Sequence, residues 1–157
     1  MVLAKVEVGV KQGYLDVLGA SVKQKIKEDL KLSGIESISC LDVFQIHSAL
    51  SEKDLEFTAR NLLMDPVIHS FSINKELHLK YSWQITVELH KNMDDTLGKM
   101  TLKGIKDLGL PVTPEDFVRT ARKYVIQGKL VQTQVKEIAE KVLANNLIEH
   151  YEISKGK

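Results

Sequence analysis

The chain has 157 residues, 43% of them hydrophobic, and a formal net charge of +1. That is enough apolar material to bury about two-thirds of the unfolded surface, and too small a basic surplus for a dedicated polyanion binder. The single cysteine, Cys40, excludes an internal disulfide, and no apolar run approaches the roughly 20 residues that span a bilayer; with no charged-then-apolar opening segment, a soluble cytoplasmic protein is expected.

The first strand is predicted over Lys5 to Val10, where Val6, Val8 and Val10 alternate with Lys5, Glu7 and Gly9. A turn, Lys11-Gln12-Gly13-Tyr14-Leu15-Asp16, follows, with Gly13 placed to take a positive φ. Asp16 can cap the next helix, whose stripe is Leu18, Val22, Ile26 and Leu30, and Ser33-Gly34 stops it. Two short β-like runs come next, Ile35 to Leu41 and Val43 to Ser48. Ser51 with Asp54 three residues on resembles a capping box for a second helix carrying Leu55, Ala59, Leu62 and Leu63. The half closes on the alternating strand Ile68 to Ile73.

The same order then returns at a spacing of 79 to 80. Val6, Val8, Asp16, Leu18 and Gly19 align with Ile85, Val87, Asp95, Leu97 and Gly98; Ala59, Leu62, Ile68 and Phe71 align with Ala139, Val142, Ile148 and Tyr151. In the second copy the short runs are Phe117 to Thr120 and Lys123 to Gln127. The order βαββαβ, twice, folds most simply as two tandem ferredoxin-like units of class α+β related by a pseudo-twofold, with two helices on one face of each antiparallel sheet. We divide the chain into residues 1–74, a linker 75–83, and 84–157. Each copy alone is marginal for an independent core, so the copies are expected to pack together. The outward faces of the first strands are polar or small, which favours joining through strand edges or termini over a dry face-to-face sandwich.

Residues 1–78 carry nine basic and eleven acidic side chains, residues 79–157 thirteen and ten. The surfaces have thus diverged while the apolar pattern has not. Signs of catalysis are missing: no Gly-rich phosphate loop stands between strand and helix, the five histidines occur singly, and Cys40 lies within a strand without the glycines of a nucleophile elbow. The residues singled out as a partner-facing set are Lys11 and Gly13 at the first turn, and Arg119, Arg122, Lys123 and Tyr124, expected on neighbouring strands where cations and an aromatic would meet a phosphate or acidic partner.

These residues carry a resemblance. The opening strand and turn, with Lys11, Gly13, Asp16 and Gly19, resemble the start of PurS, the small subunit of formylglycinamide ribonucleotide amidotransferase (phosphoribosylformylglycinamidine synthase) in purine biosynthesis. The second copy resembles it more closely, through Val118-Arg119, Lys123-Tyr124, the helix Lys136 to Asn145, and Leu147-Ile148-Glu149-His150-Tyr151. The first copy departs in having Asp42-Val43-Phe44 opposite Arg122-Lys123-Tyr124, and Asp65-Pro66 opposite Asn145-Asn146; the second has Asn92 in place of the turn glycine. The resemblance implies a non-catalytic subunit with no cofactor of its own. It would bridge an ATP-dependent, PurL-like synthetase subunit and a PurQ-like glutaminase subunit, which use the ATP, Mg and glutamine, and it would help keep the ammonia route closed. It implies no nucleic-acid or membrane partner, and leaves room for further self-association of the fused pair.

Two other functions compete. A tandem ACT-like module would bind a small effector between the copies, with the turn at Gly13 as its ligand loop. An RNA-binding sheet needs exposed aromatics on its central strands, where this chain has Lys5, Glu7, Gln84, Thr86 and Glu88.

Overall fold

The computed structural model describes residues 2–156. Among them, six strands form one antiparallel sheet in the order β3-β1-β2-β5-β4-β6: β1 (Val2–Val10), β2 (Ile35–Ser48), β3 (His69–Ile73), β4 (Trp83–Leu89), β5 (Phe117–Gly128) and β6 (Glu149–Lys155). The fold is the α+β tandem of ferredoxin-like units that the repeat predicts. Within each unit, the two short middle runs prove to be one continuous strand, β2 in the first copy and β5 in the second. The charged residues that interrupt the apolar pattern, Asp42 and Arg122, are not turn residues. They face each other in mid-strand where β2 pairs with β5.

The β2–β5 pairing runs from Ile35 opposite Gly128 to His47 opposite Phe117. Asp42 opposes Arg122, Cys40 opposes Tyr124, and Phe44 opposes Thr120. Since Asp42 and Arg122 are also repeat equivalents, as are Phe44 and Tyr124, the pseudo-twofold axis passes between Asp42 and Arg122. The copies therefore join through strand edges, as the polar outer faces predict. β1 reaches along the C-terminal half of β2 only, from Val2 opposite Ser48 to Val8 opposite Asp42. The place beside that half that a fourth strand of a lone unit would occupy is filled by the other copy's β5.

The helices are α1 (Val17–Leu30), α2 (Glu52–Thr58), α3 (Thr96–Asp107) and α4 (Gln132–Ile138); α2 and α4 each run on into a π-helical turn, Ala59–Leu63 and Ala139–Leu143. In both turns the closing bond spans five residues, Met64 N–H donating to Ala59 O and Ala144 N–H to Ala139 O. The helices cover one face of the sheet, but not each over its own copy. Ile26 of α1 is buried with Trp83, Ile85, Val87, Tyr124, Ile126, Val135 and Ile138 of the second copy. Ile105 of α3 is buried with Val6, Val8, Phe44, Ile46 and Leu55 of the first. Each core is thus built from both copies, with α1 against the second π-turn and α3 against the first.

The segment between β3 and β4 has to pass three strands, about 19 Å at the usual strand spacing. It does so across the face opposite the helices. Asn74, at a left-handed φ of 57°, donates its N–H to Lys5 O and accepts the Lys5 N–H on its side chain. Leu77 donates its N–H to a Glu7 carboxylate oxygen, and its side chain meets that of Leu41 over Gly9. Lys80 O accepts from the Gln127 side chain, and Ser82 N–H donates to Ile126 O. This strap explains why Leu41, Val43 and Val125, which point away from the helices, are buried all the same.

Candidate functional site

The region where the copies meet is built on two equivalent turns. In each, an aspartate caps a helix and ties it to a strand. Asp16 accepts the Gly19 N–H (2.8 Å) and, on its other oxygen, the Cys40 N–H of β2 (2.9 Å). Asp95 accepts the Gly98 N–H (2.8 Å), the Thr120 N–H of β5 (2.6 Å) and the Thr120 hydroxyl. Composition and spacing announce the cap; the tie to a strand more than twenty residues away is visible only in the fold. Glycine is required three residues after each aspartate because a β-carbon on Gly19 or Gly98 would run into the carbonyl oxygen of Ile38 or Val118.

The six residues singled out in the sequence do not form one patch. Arg119, Arg122, Lys123 and Tyr124, expected on neighbouring strands, all lie on the single strand β5, and its alternation sends them to opposite faces. Arg119 is turned inward along the chain: Nη1 donates to Met93 O (3.0 Å), and Nη2 to His90 O (3.1 Å) and Leu89 O (3.4 Å), so it ties down the second turn. Lys123 is buried against the Glu7 carboxylate under the strap. Tyr124 is buried in the helix-side core; burial pushes its hydroxyl up, against the pull of nearby Arg122. Arg122 stays half exposed on the pseudo-axis, where Nε and Nη2 donate to one oxygen of Asp42 (3.4 and 3.2 Å). Burial works against its charge, but Asp42 holds the guanidinium above its ordinary value. Lys11 places Nζ on Pro66 O (2.8 Å), and Gly13 has a φ of 92° with open space around it.

The residues that sequence reasoning passed over are the acidic partners Glu7 and Asp42. The signal for Asp42 was present: the repeat aligns it with Arg122, and residues aligned on a twofold axis face each other. Cys40 is buried and its thiol is pushed up to about 12, by burial first and Asp16 second, which leaves almost no thiolate at neutral pH. Among the described residues no group of three His, Cys, Asp or Glu side chains is placed to hold a metal ion, and no helix is long and apolar enough to cross a membrane.

Around the first turn, Tyr14, Leu15, Val17 and Leu18 are exposed, an apolar knuckle beside Lys11 and Gly13. The equivalent positions of the second copy are Met93, Asp94, Thr96 and Leu97. A geometry with shared cores, a twofold seam and unlike turns defines a class: a covalently fused pair of small α+β units whose two turn surfaces differ. A profile of the PurS family, described as phosphoribosylformylglycinamidine (FGAM) synthase, matches residues 3–77 and matches again over residues 82–156. The chain belongs to the PurS family, as a tandem of two copies, and its role lies in FGAM synthase of purine biosynthesis. No curated protein matches the chain.

Proposed function

We propose that this chain is the assembly subunit of FGAM synthase, non-catalytic in itself and cytoplasmic, bridging the ATP-dependent synthetase subunit and the glutaminase subunit so that ammonia released from glutamine reaches the synthetase without loss. The observation that carries the reading is the double family match on a chain whose two copies share one sheet and two mixed cores. The pair is already assembled before any partner is met. Once one face has docked, docking of the other becomes intramolecular, with an effective concentration set by the fold. Lys11 and the Gly13 turn, with the exposed apolar side chains beside them, and Arg122 on the axis are the surfaces offered to partners. Arg119, Lys123 and Tyr124 support the pair from within.

The test is reconstitution of the synthetase and glutaminase subunits with and without the chain. Glutamine-dependent product formation is expected to require it, ammonium salts are expected to support the synthetase alone, and the chain by itself is expected to be inactive. Full glutamine-dependent activity without the chain would end the proposal.

A further inference from the structure

On the helix-covered face, a cavity flanks the pseudo-axis on each side, and the two are built from equivalent positions. The first, about 220 Å³, lies under the first turn and is lined by Leu15, Val17 and Cys40. The second, about 530 Å³, is large enough for a small organic ligand. Where the first has those three residues, the second has Asp94, Thr96 and Thr120. The other polar differences are Glu149 for His69, Glu88 for Gly9 and Arg122 for Asp42. Six equivalent lining positions thus differ by a charge or a hydroxyl, while Val87 and Leu89, in place of Val8 and Val10, stay apolar. The first cavity is the internal control. Drift in a solvated wall gives no reason for five of the six to add polar or ionic character to the larger cavity, the sixth exchanging one charge for another.

The second cavity holds one cation, Arg122, paired with Asp42 at one end, and a carboxylate, Glu149, at the other. Arg122 stands opposite Val87 and Glu149 opposite Leu89. They are two strands and two residues apart, about 12 Å between α-carbons, with the apolar floor between them. Asp42 accepts from Nε and Nη2 of Arg122, the Tyr124 hydroxyl lies beside the same guanidinium, and the Arg122 side chain stays 44% exposed. Glu149 uses Oε1 to accept the Asn145 N–H (2.8 Å), which leaves Oε2. Asp94, paired with Lys99, adds a further carboxylate to the lining. Tyr124, only 8% exposed, closes the wall beside Arg122.

We propose that this second cavity binds a small zwitterion of the amino-acid class, its carboxylate on Arg122 and its ammonium on Glu149. Acidic residues outnumber Arg122 around the cavity, so neutral or basic amino acids are accepted and acidic ones repelled. The site goes beyond the assembly role and stands whether or not that role holds. It would let a metabolite be sensed at the seam on which both copies depend.

The test is calorimetric titration of the full chain with L-lysine and with cadaverine, which is lysine without its carboxylate. Saturable lysine binding is expected, with cadaverine about tenfold weaker for want of one charge-assisted contact. Arg122→Gln should abolish that difference, Glu149→Gln should weaken both ligands, and His69→Gln in the first cavity should change neither. Absence of saturable lysine binding to the unmodified chain overturns the proposal. So does cadaverine binding as tightly as lysine, or lysine affinity unchanged by Arg122→Gln.

Discussion

Asp95 holds three donors with one buried side chain: the helix N-cap at Gly98, the Thr120 N–H and the Thr120 hydroxyl. Replacing it by alanine removes a cap, about 1 kcal/mol, and strands a strand N–H, about 1–3 kcal/mol. Chemical denaturation of Asp95→Ala is therefore expected to show a loss of about 2–4 kcal/mol. Cys40 gives a pH signature. Its thiol ionises at about 12 when folded, against an ordinary value of 9.0, so above pH 9 the unfolded chain loses this proton first. Stability from this group is complete below that pH and falls as pH rises through the window. Thermal melts across the alkaline range should show a falling midpoint, with a flatter curve for Cys40→Ala. At neutral pH, alkylation of the native chain by iodoacetamide should be slow compared with the unfolded chain.

At the scale of elements, close approach and buried charge matter most. Helix α3 crosses β5 so closely that Gly98 has no room for a methyl group beside Val118 O. Gly98→Ala is expected to destabilise by about 1–3 kcal/mol or more, since the obstacle is backbone and cannot rotate away. Beneath the strap, Glu7 and Lys123 form an ion pair, with side chains 5% and 11% exposed, and Glu7 also receives the Leu77 N–H. Lys123→Met alone leaves a buried carboxylate and should cost about 3–5 kcal/mol, whereas Glu7→Gln with Lys123→Met should recover most of it. Equal, additive losses in that double-mutant cycle would show the pair to be uncoupled. Much of this level was legible beforehand: the caps at Asp16, Ser51 and Asp95 and the apolar helix stripes follow from spacing alone. The continuity of β2 and β5 was not, because a charged residue inside an apolar run reads as a turn until its partner is known. Asp42 and Arg122 satisfy each other across the seam, an interaction between positions 80 apart that local pattern does not contain. The strap over the polar face was hidden for the same reason. Residues 74–82 carry no period, and their place is set by Glu7 and Leu41 on distant strands.

The whole molecule should behave as one cooperative unit despite its internal repeat. Since α1 is buried with strands of the second copy and α3 with strands of the first, neither copy retains a complete core when the other unfolds. Calorimetry is expected to show a single transition with equal calorimetric and van't Hoff enthalpies; two resolved transitions would contradict the shared cores.

The pairing of Asp42 with Arg122 has a consequence for how such a molecule changes over generations. In a pair of identical chains, a residue on the twofold axis must face its own copy, and each mutation arrives twice, so an arginine there would meet an arginine. Joining the copies in one chain lifts that constraint. Opposite charges can meet on the axis, and one cavity can gain charges and hydroxyls where its counterpart keeps Leu15, Val17 and Cys40. Fusion thus gives each side of the molecule its own mutational history, and a substitution that suits one partner need no longer be tolerated by the other.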